Sequence, residues 1–295
     1  MIDSVEEYLI KLKAELDGCD SALIQDAMSD AEEHLRSALI TARDEASTGS
    51  ETETLRSIIG KYGDPKEIAA AYKDMESRMA LGFIPSRVPA ERNFISRFFG
   101  IFSDPRAWGA ALYMLISGLT GTVFGLWGIL GAVVSAPLFL FIIGLPMTGL
   151  FLLSIRGIGL IEGRIVEAFL GVRMPRKPLF SRKDLSLSDK FKSLIAESHT
   201  WKSFVYIVLL FPLGWIYCLS ILFFFFMSVC FILSPLLELV LHLPLELFGF
   251  EAYTPVWFLP VVVISGLFLL PITFHLAKWV GSFQGRFAKH MLVRK

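Results

Sequence analysis

From Ala107 to Ile155 the chain runs for 49 residues without an Asp, Glu, Lys or Arg, and no other feature limits its fold as severely. A helix needs about 20 apolar residues to cross the hydrocarbon core of a bilayer, so this run holds two crossings. They fit near Trp108–Leu130 and Pro137–Ile155, with a turn at Gly131–Ala136. Ser203–Leu237 is a second charge-free run and Ala252–Ala277 a third. Crossings over Phe204–Met227 and Val256–Leu276 follow. The stretch between them, Ser228–Pro255, is apolar but broken by Pro235, Pro244 and Pro255, and it carries Glu238, Glu246 and Glu251. It reads better as a membrane-hugging extracytoplasmic insert than as a fifth crossing.

Internal repetition supports that choice. Trp108-x4-Tyr113 opens the first pair of crossings, and Trp201-x4-Tyr206 opens the second, with Gly121 and Gly214 at the same offset. Gly149-Leu150-Phe151-Leu152-Leu153 recurs as Gly266-Leu267-Phe268-Leu269-Leu270, and Gly163-Arg164 recurs downstream as Gly285-Arg286. Each copy is an inbound helix, an outbound helix and a basic tail, the second with a longer tip. The predicted class is all-α: a small cytoplasmic helical domain, then a four-helix transmembrane bundle of two repeated hairpins with amphipathic interfacial helices.

A net charge of zero conceals two unlike parts. Residues 1–80 hold 18 acids and 9 bases, whereas the rest holds 10 acids and 19 bases. Basic residues flank the crossings on one side only. Arg87, Arg92, Arg97 and Arg106 precede the first, Arg156–Lys202 separates the second from the third, and Lys278, Arg286, Lys289, Arg294 and Lys295 follow the fourth. Neither tip has a Lys or Arg. Basic flanks stay inside, so both termini are expected to be cytoplasmic, in a multi-pass protein of the plasma membrane whose first partner is the lipid bilayer. Met1-Ile2-Asp3-Ser4 opens with neither a basic nor an apolar leader, so insertion is expected to rely on internal spans.

The chain thus divides into an acidic helical domain (1–80), a linker with an interfacial helix (81–106), hairpin repeat 1 (107–171), a basic linker (172–200) and hairpin repeat 2 (201–295) with its insert (228–255). In the first, Val5, Leu9, Leu12 and Leu16 recur at helical spacing. A second helix is predicted from Ser21 to Glu45, a turn at Ser47–Ser50, and a third helix from Leu55 that stops at Gly63. Asp64-Pro65-Lys66-Glu67 then combines an N-cap, a first-turn proline and a capping-box glutamate. Phe94, Phe98, Phe99 and Phe102 interleave with arginines before the first crossing, as suits a headgroup layer. Ser186–Thr200 reads as an amphipathic helix returning to the membrane.

Few residues offer chemistry. Glu238, His242 and Glu246 are spaced by four and on an unbroken helix would share a face, able to bind a metal or titrate near neutral pH; Pro244 argues against such a helix, and a polar interfacial side is the plainer reading. His275 and Lys278 end the fourth crossing at an edge where they can snorkel. Ser117, Gly121 and Gly125 form a small-residue stripe suited to close helix contact, within the chain or in a homo-oligomer. Asp30, Glu32, Glu33 and His34 read as a solvated face. Cys218 and Cys230, about 18 Å apart on one helix, are too distant for a disulfide. The sequence contains no phosphate loop, paired metal-ligand histidines or nucleophile elbow. No Asp or Glu lies inside the four assigned crossings. A non-enzymatic chain without cofactor, metal or direct nucleic-acid binding is expected, its acidic domain standing off an anionic inner leaflet and open to a partner.

Tyr8-Leu9-x2-Leu12, Glu32-Glu33-His34-Leu35 and Tyr62-Gly63-Asp64-Pro65-x2-Ile68-Ala69 resemble the HAAS-type helical signalling domain, often found near PadR-type transcription regulators. Residues 98–293 resemble the "putative sensor" membrane domain, through Asp104-Pro105-x2-Trp108-x4-Tyr113, Ile143-Gly144-Leu145-Pro146 and Glu162-Gly163-Arg164…Leu170-Gly171. These resemblances imply a membrane sensor or adaptor and bring no catalytic residues. Its output would pass to a cytoplasmic regulatory protein docked on residues 1–80. The competing reading is a transport component, a permease-like subunit or a small exporter of an apolar or lipid substrate.

Overall fold

The computed structural model describes residues 2–44, 51–83, 94–138, 144–176, 194–240, 245–247, 250–252 and 255–293. Its front comprises α1 (Val5–Glu15), α2 (Ser21–Asp44), α3 (Glu51–Tyr62) and α4 (Pro65–Phe83). Ser4 caps α1, its hydroxyl accepting the Glu7 amide at 3.1 Å, and the predicted stripe of Val5, Leu9, Leu12 and Leu16 is buried with Tyr8. Ala27, Ala31, Leu35, Leu55 and Ala69 complete that core. Gly63 ends α3 at φ +116°, a conformation that costs glycine little, and its carbonyl accepts the buried Tyr8 hydroxyl at 2.9 Å. The expected start signal works as read: α4 begins at Pro65, and the Asp64 amide donates to the Glu67 carboxylate at 3.4 Å. The supposed solvated face is more engaged than expected. Tyr72 donates to Asp30 Oδ2 at 2.5 Å, Arg36 pairs with Glu32 at 2.9 Å, and the His34 ring stacks on Tyr62.

Next, α5 (Phe94–Phe99) and a 3-10 turn (Gly100–Ser103) lead into four long helices, α6 (Pro105–Leu138), α7 (Gly144–Leu170), α8 (Ser198–Ile232) and α9 (Leu259–Leu292), all in mutual contact. Three of them, α6, α8 and α9, are long and apolar enough to cross a membrane. Their outer surface is leucine and aromatic: Leu119 is 68% exposed and Phe226 70%. Such a surface suits lipid rather than water, and the protein is a membrane protein.

Several boundaries move from their expected places. The helix α6 runs through the predicted turn at Gly131–Ala136, because Gly131 serves close packing: a Cβ there would stand 2.1 Å from the Phe151 ring of α7. Instead of stopping at Ile155, α7 continues to Leu170 and is closed by Gly171 at φ +67°. The insert is not wholly helical. After a π-helical turn (Leu236–Val240), β1 (Leu245–Leu247) pairs antiparallel with β2 (Phe250–Ala252), Glu246 opposite Glu251. The turn predicted at Ser47–Ser50 lies outside the described residues, as does most of the helix predicted over Ser186–Thr200.

The helices α6 and α8 cross on glycine. A Cβ at Gly121 would lie 2.4 Å from the Leu210 carbonyl oxygen, and one at Gly214 would lie 2.1 Å from that of Ser117. Gly118 meets Cys218 in the same way, and Gly125 meets Phe211. Shift both partners by 93 positions and exchange the helices, and each contact becomes the other (117 to 210, 121 to 214; 118 to 211, 125 to 218). That reciprocity is the pattern of an isologous interface, and small residues are what let two backbones approach so closely. The expected stripe of Ser117, Gly121 and Gly125 is therefore spent inside the chain. The two tryptophans near the starts of α6 and α8 also behave alike. Trp108 Nε1 donates to the Phe102 carbonyl at 2.9 Å, and Trp201 Nε1 to that of Ile195 at 2.8 Å, each six residues back.

Candidate functional site

All four long helices send polar side chains to a common buried point, among them Tyr113 from α6, Glu162 from α7, Tyr206 from α8 and Gln284 from α9. None has measurable exposure. The Tyr113 hydroxyl donates to Glu162 Oε1 at 3.0 Å, and Gln284 Nε2 donates to the Tyr206 hydroxyl at 3.2 Å and, at 3.4 Å, to that of Tyr113. Tyr217 completes the network by donating to Gln284 Oε1 at 3.0 Å. Glu162 Oε2 has no hydrogen-bond partner. A buried polar network holds its helices in one arrangement when satisfied and is costly where it is not, so this oxygen is the point of tension.

Charged residues gather beside the start of α8 and in the segment after α7. Arg156 of α7 reaches Glu197, just before α8, at 2.5 Å, and Thr200 at 2.6 Å. Three contacts then tie the front domain to this end. Asp20, which accepts the Ala22 amide at 2.9 Å as α2 starts, pairs with Lys289 of α9. Asp26 Oδ1 accepts the Arg176 amide at 2.8 Å. Glu76 of α4 faces Arg173 at 3.6 Å. The acidic domain thus meets α9 and the segment after α7, two of its three contacts being between opposite charges.

The predicted candidates fare unequally. Glu238 lies in the π-helical turn and Glu246 on β1, while His242 lies outside the described residues; with a strand begun at Leu245, the three do not share one helical face. His275 Nε2 meets the Phe98 carbonyl at 3.2 Å, and Lys278 Nζ donates to Asp104 Oδ2 at 2.6 Å. Burial pushes the Asp104 carboxyl up, but the Lys278 ammonium and the Arg106 amide outweigh it and hold it below the usual carboxylate range. Of the structural positions, Gly63, Asp64 and Pro65 form the α3–α4 junction, and Tyr113 and Tyr206 are brought together in the buried network. Trp108 and Trp201 brace the starts of their helices. Gly285 lets α9 pack on Val172, which a Cβ there would approach to 2.6 Å, whereas a Cβ at Gly163 would make ordinary contact with Met174. Arg164 pairs with Glu167 at 2.6 Å, and Arg286 donates to the Ser282 carbonyl at 3.2 Å. Sequence reasoning quoted Glu162 only as part of a family motif and passed over Gln284, although each directly precedes a Gly-Arg pair.

Two family profiles match the chain. Residues 7–71 match HAAS, and residues 113–292, more than half of the chain, match the family described as "Putative sensor". Among curated proteins and among solved structures there is no match. The buried network, from Tyr113 to Gln284, lies within the second match; Asp20 and Asp26 lie within the first, and Glu76 lies just beyond it. The chain belongs to the Sensor family and carries a HAAS domain in front of it.

Proposed function

We propose that this protein is a non-enzymatic, multi-pass sensor and signalling adaptor of the plasma membrane, which passes a membrane or extracytoplasmic state to a cytoplasmic regulatory protein through residues 1–80. The observation that carries this reading is the charged seating of the front domain, through Asp20 on Lys289, Asp26 on Arg176 and Glu76 on Arg173. Any shift of α9 or of the segment after α7 alters what holds that domain, and so what it offers a partner. We further read the long helices as a four-helix transmembrane bundle made from one duplicated hairpin, with α7 as the fourth crossing and both termini cytoplasmic. The reciprocal glycine contacts of α6 with α8 and the matching Trp108 and Trp201 hydrogen bonds support duplication. The confinement of basic residues to one side supports the orientation.

Single cysteines placed beside Glu246 should react with a membrane-impermeant maleimide added to intact cells, and cysteines beside Lys183 should not. Affinity capture with the full chain should recover a regulator, and a domain unseated by Asp20→Lys should recover it in altered amount. Reversed labelling, or capture indifferent to seating, would remove the reading.

A further inference from the structure

Two carboxylates are buried among the described residues, Asp26 and Glu162, and they are provided for differently. Asp26 accepts a backbone amide from a basic segment. Glu162 has one hydroxyl on Oε1, nothing on Oε2, and no ion pair among the described residues. An ionised carboxylate removed from water with no cation opposite it is costly, and a neutral one far less so. Ionisable groups inside helical membrane domains are functional candidates for this reason.

The chain supplies its own comparison. Gln284-Gly285-Arg286 in α9 carries the same Gly-Arg pair as Glu162-Gly163-Arg164 in α7, and both side chains reach the same buried point. Gln284 joins three tyrosine hydroxyls as a neutral amide, so hydrogen bonding at this place needs no titratable group. A carboxyl at 162 adds one capability an amide lacks, the gain and loss of a proton.

We infer that Glu162 is a proton-binding site at the meeting point of the four helices, and that its protonation is the event the polar network passes between the hairpins. Oε2 takes one proton from water to give the carboxyl, and returns it to give the carboxylate. The groups facing it are Tyr113 from α6 and Tyr206 from α8, with Gln284 from α9 bridging them. On its own helix, Arg164 and Glu167 pair with each other, and Arg156 is held by Glu197. On α9, Lys289 is held by Asp20 and Arg286 lies on the Ser282 carbonyl. A charge at Glu162 bears on Tyr113 and Tyr206 directly, and through Gln284 on Tyr217. The inference names the stimulus class of the proposed sensor and rests on that reading for its purpose, although the site itself does not.

The test is infrared difference spectroscopy on the full chain in lipid nanodiscs stepped through pH. The wild type should lose a carboxyl carbonyl band and gain a carboxylate band in a one-proton step. Glu162→Gln should abolish that step while keeping the wild-type gel-filtration profile, following the precedent of Gln284. Glu162→Asp should keep the step at a displaced midpoint, which preserves the test if the Gln variant is poorly folded. Identical wild-type and Glu162→Gln spectra, or a step that follows sodium or potassium concentration at fixed pH, would overturn the inference. A clear Glu162 step with unchanged seating of Asp20 on Lys289 would uphold the proton site and count against the relay instead.

Discussion

Gly214 stands so near the Ser117 carbonyl that a β-carbon on it would lie 2.1 Å from the oxygen, and Gly121 is placed likewise against Leu210. The two helices touch backbone to backbone with nothing flexible between them to give way. Gly214→Ala should therefore force α6 and α8 apart and cost about 1–3 kcal/mol, read as a lowered unfolding midpoint in detergent. Gly157→Ala on α7 meets nothing within 4 Å and should be neutral or slightly stabilising in the same assay.

The Asp104–Lys278 pair ties the segment before α6 to α9. Its carboxyl is held below the ordinary value in the folded chain, so the unfolded chain binds that proton more readily. The stabilisation is present above the unfolded value of about 4 and is lost as pH falls through the folded value. Asp104→Asn should lower the melting midpoint at pH 7 by an amount worth about 1 kcal/mol or less, because the pair is partly solvated. At pH 3 the difference between variant and wild type should shrink.

In the front domain, Tyr72 donates to Asp30 at 2.5 Å, and burial together with that neighbouring carboxylate pushes the phenol upward, keeping it protonated as a donor. Tyr72→Phe removes the donor and leaves a half-buried carboxylate oxygen short of a partner. A cost of about 1–3 kcal/mol is expected, seen as faster hydrogen exchange in α2 and α4 with that of α8 unchanged.

Seating of the front domain should respond to charge order and to salt. Asp20→Lys should release it, and Asp20→Lys combined with Lys289→Asp should restore it. Both outcomes are readable as a spin-label distance between α2 and α9. Raising ionic strength from 0.1 M to about 1 M shortens the screening length from roughly 10 Å to 3 Å and should loosen the wild type in the same measurement.

What could be read from the sequence was what is written locally. The Gly63-Asp64-Pro65 junction follows from backbone preferences of adjacent residues, and the charge-free runs from the dielectric of lipid. The turn at Gly131–Ala136 was misread because glycine can mark either a bend or a close approach, and only the Phe151 ring distinguishes them. Glu162 was overlooked because it lies between Arg156 and Arg164 in a stretch whose charges resemble a solvated tail. The fold turns those arginines toward Glu197 and Glu167 and this one carboxyl inward. The seating of Asp20 and Asp26 depends on partners far along the chain, and no window of sequence contains both members of either pair.

Asp20 and Lys289 are separated by 269 positions, and that distance imposes an order of events. The front domain has its own core and is made before α9, whose last turn supplies the lysine that receives it. Until α9 is made, Asp20 lacks its Lys289 partner. Full seating can serve as a mark of assembly, reached only in molecules whose α9 has been delivered.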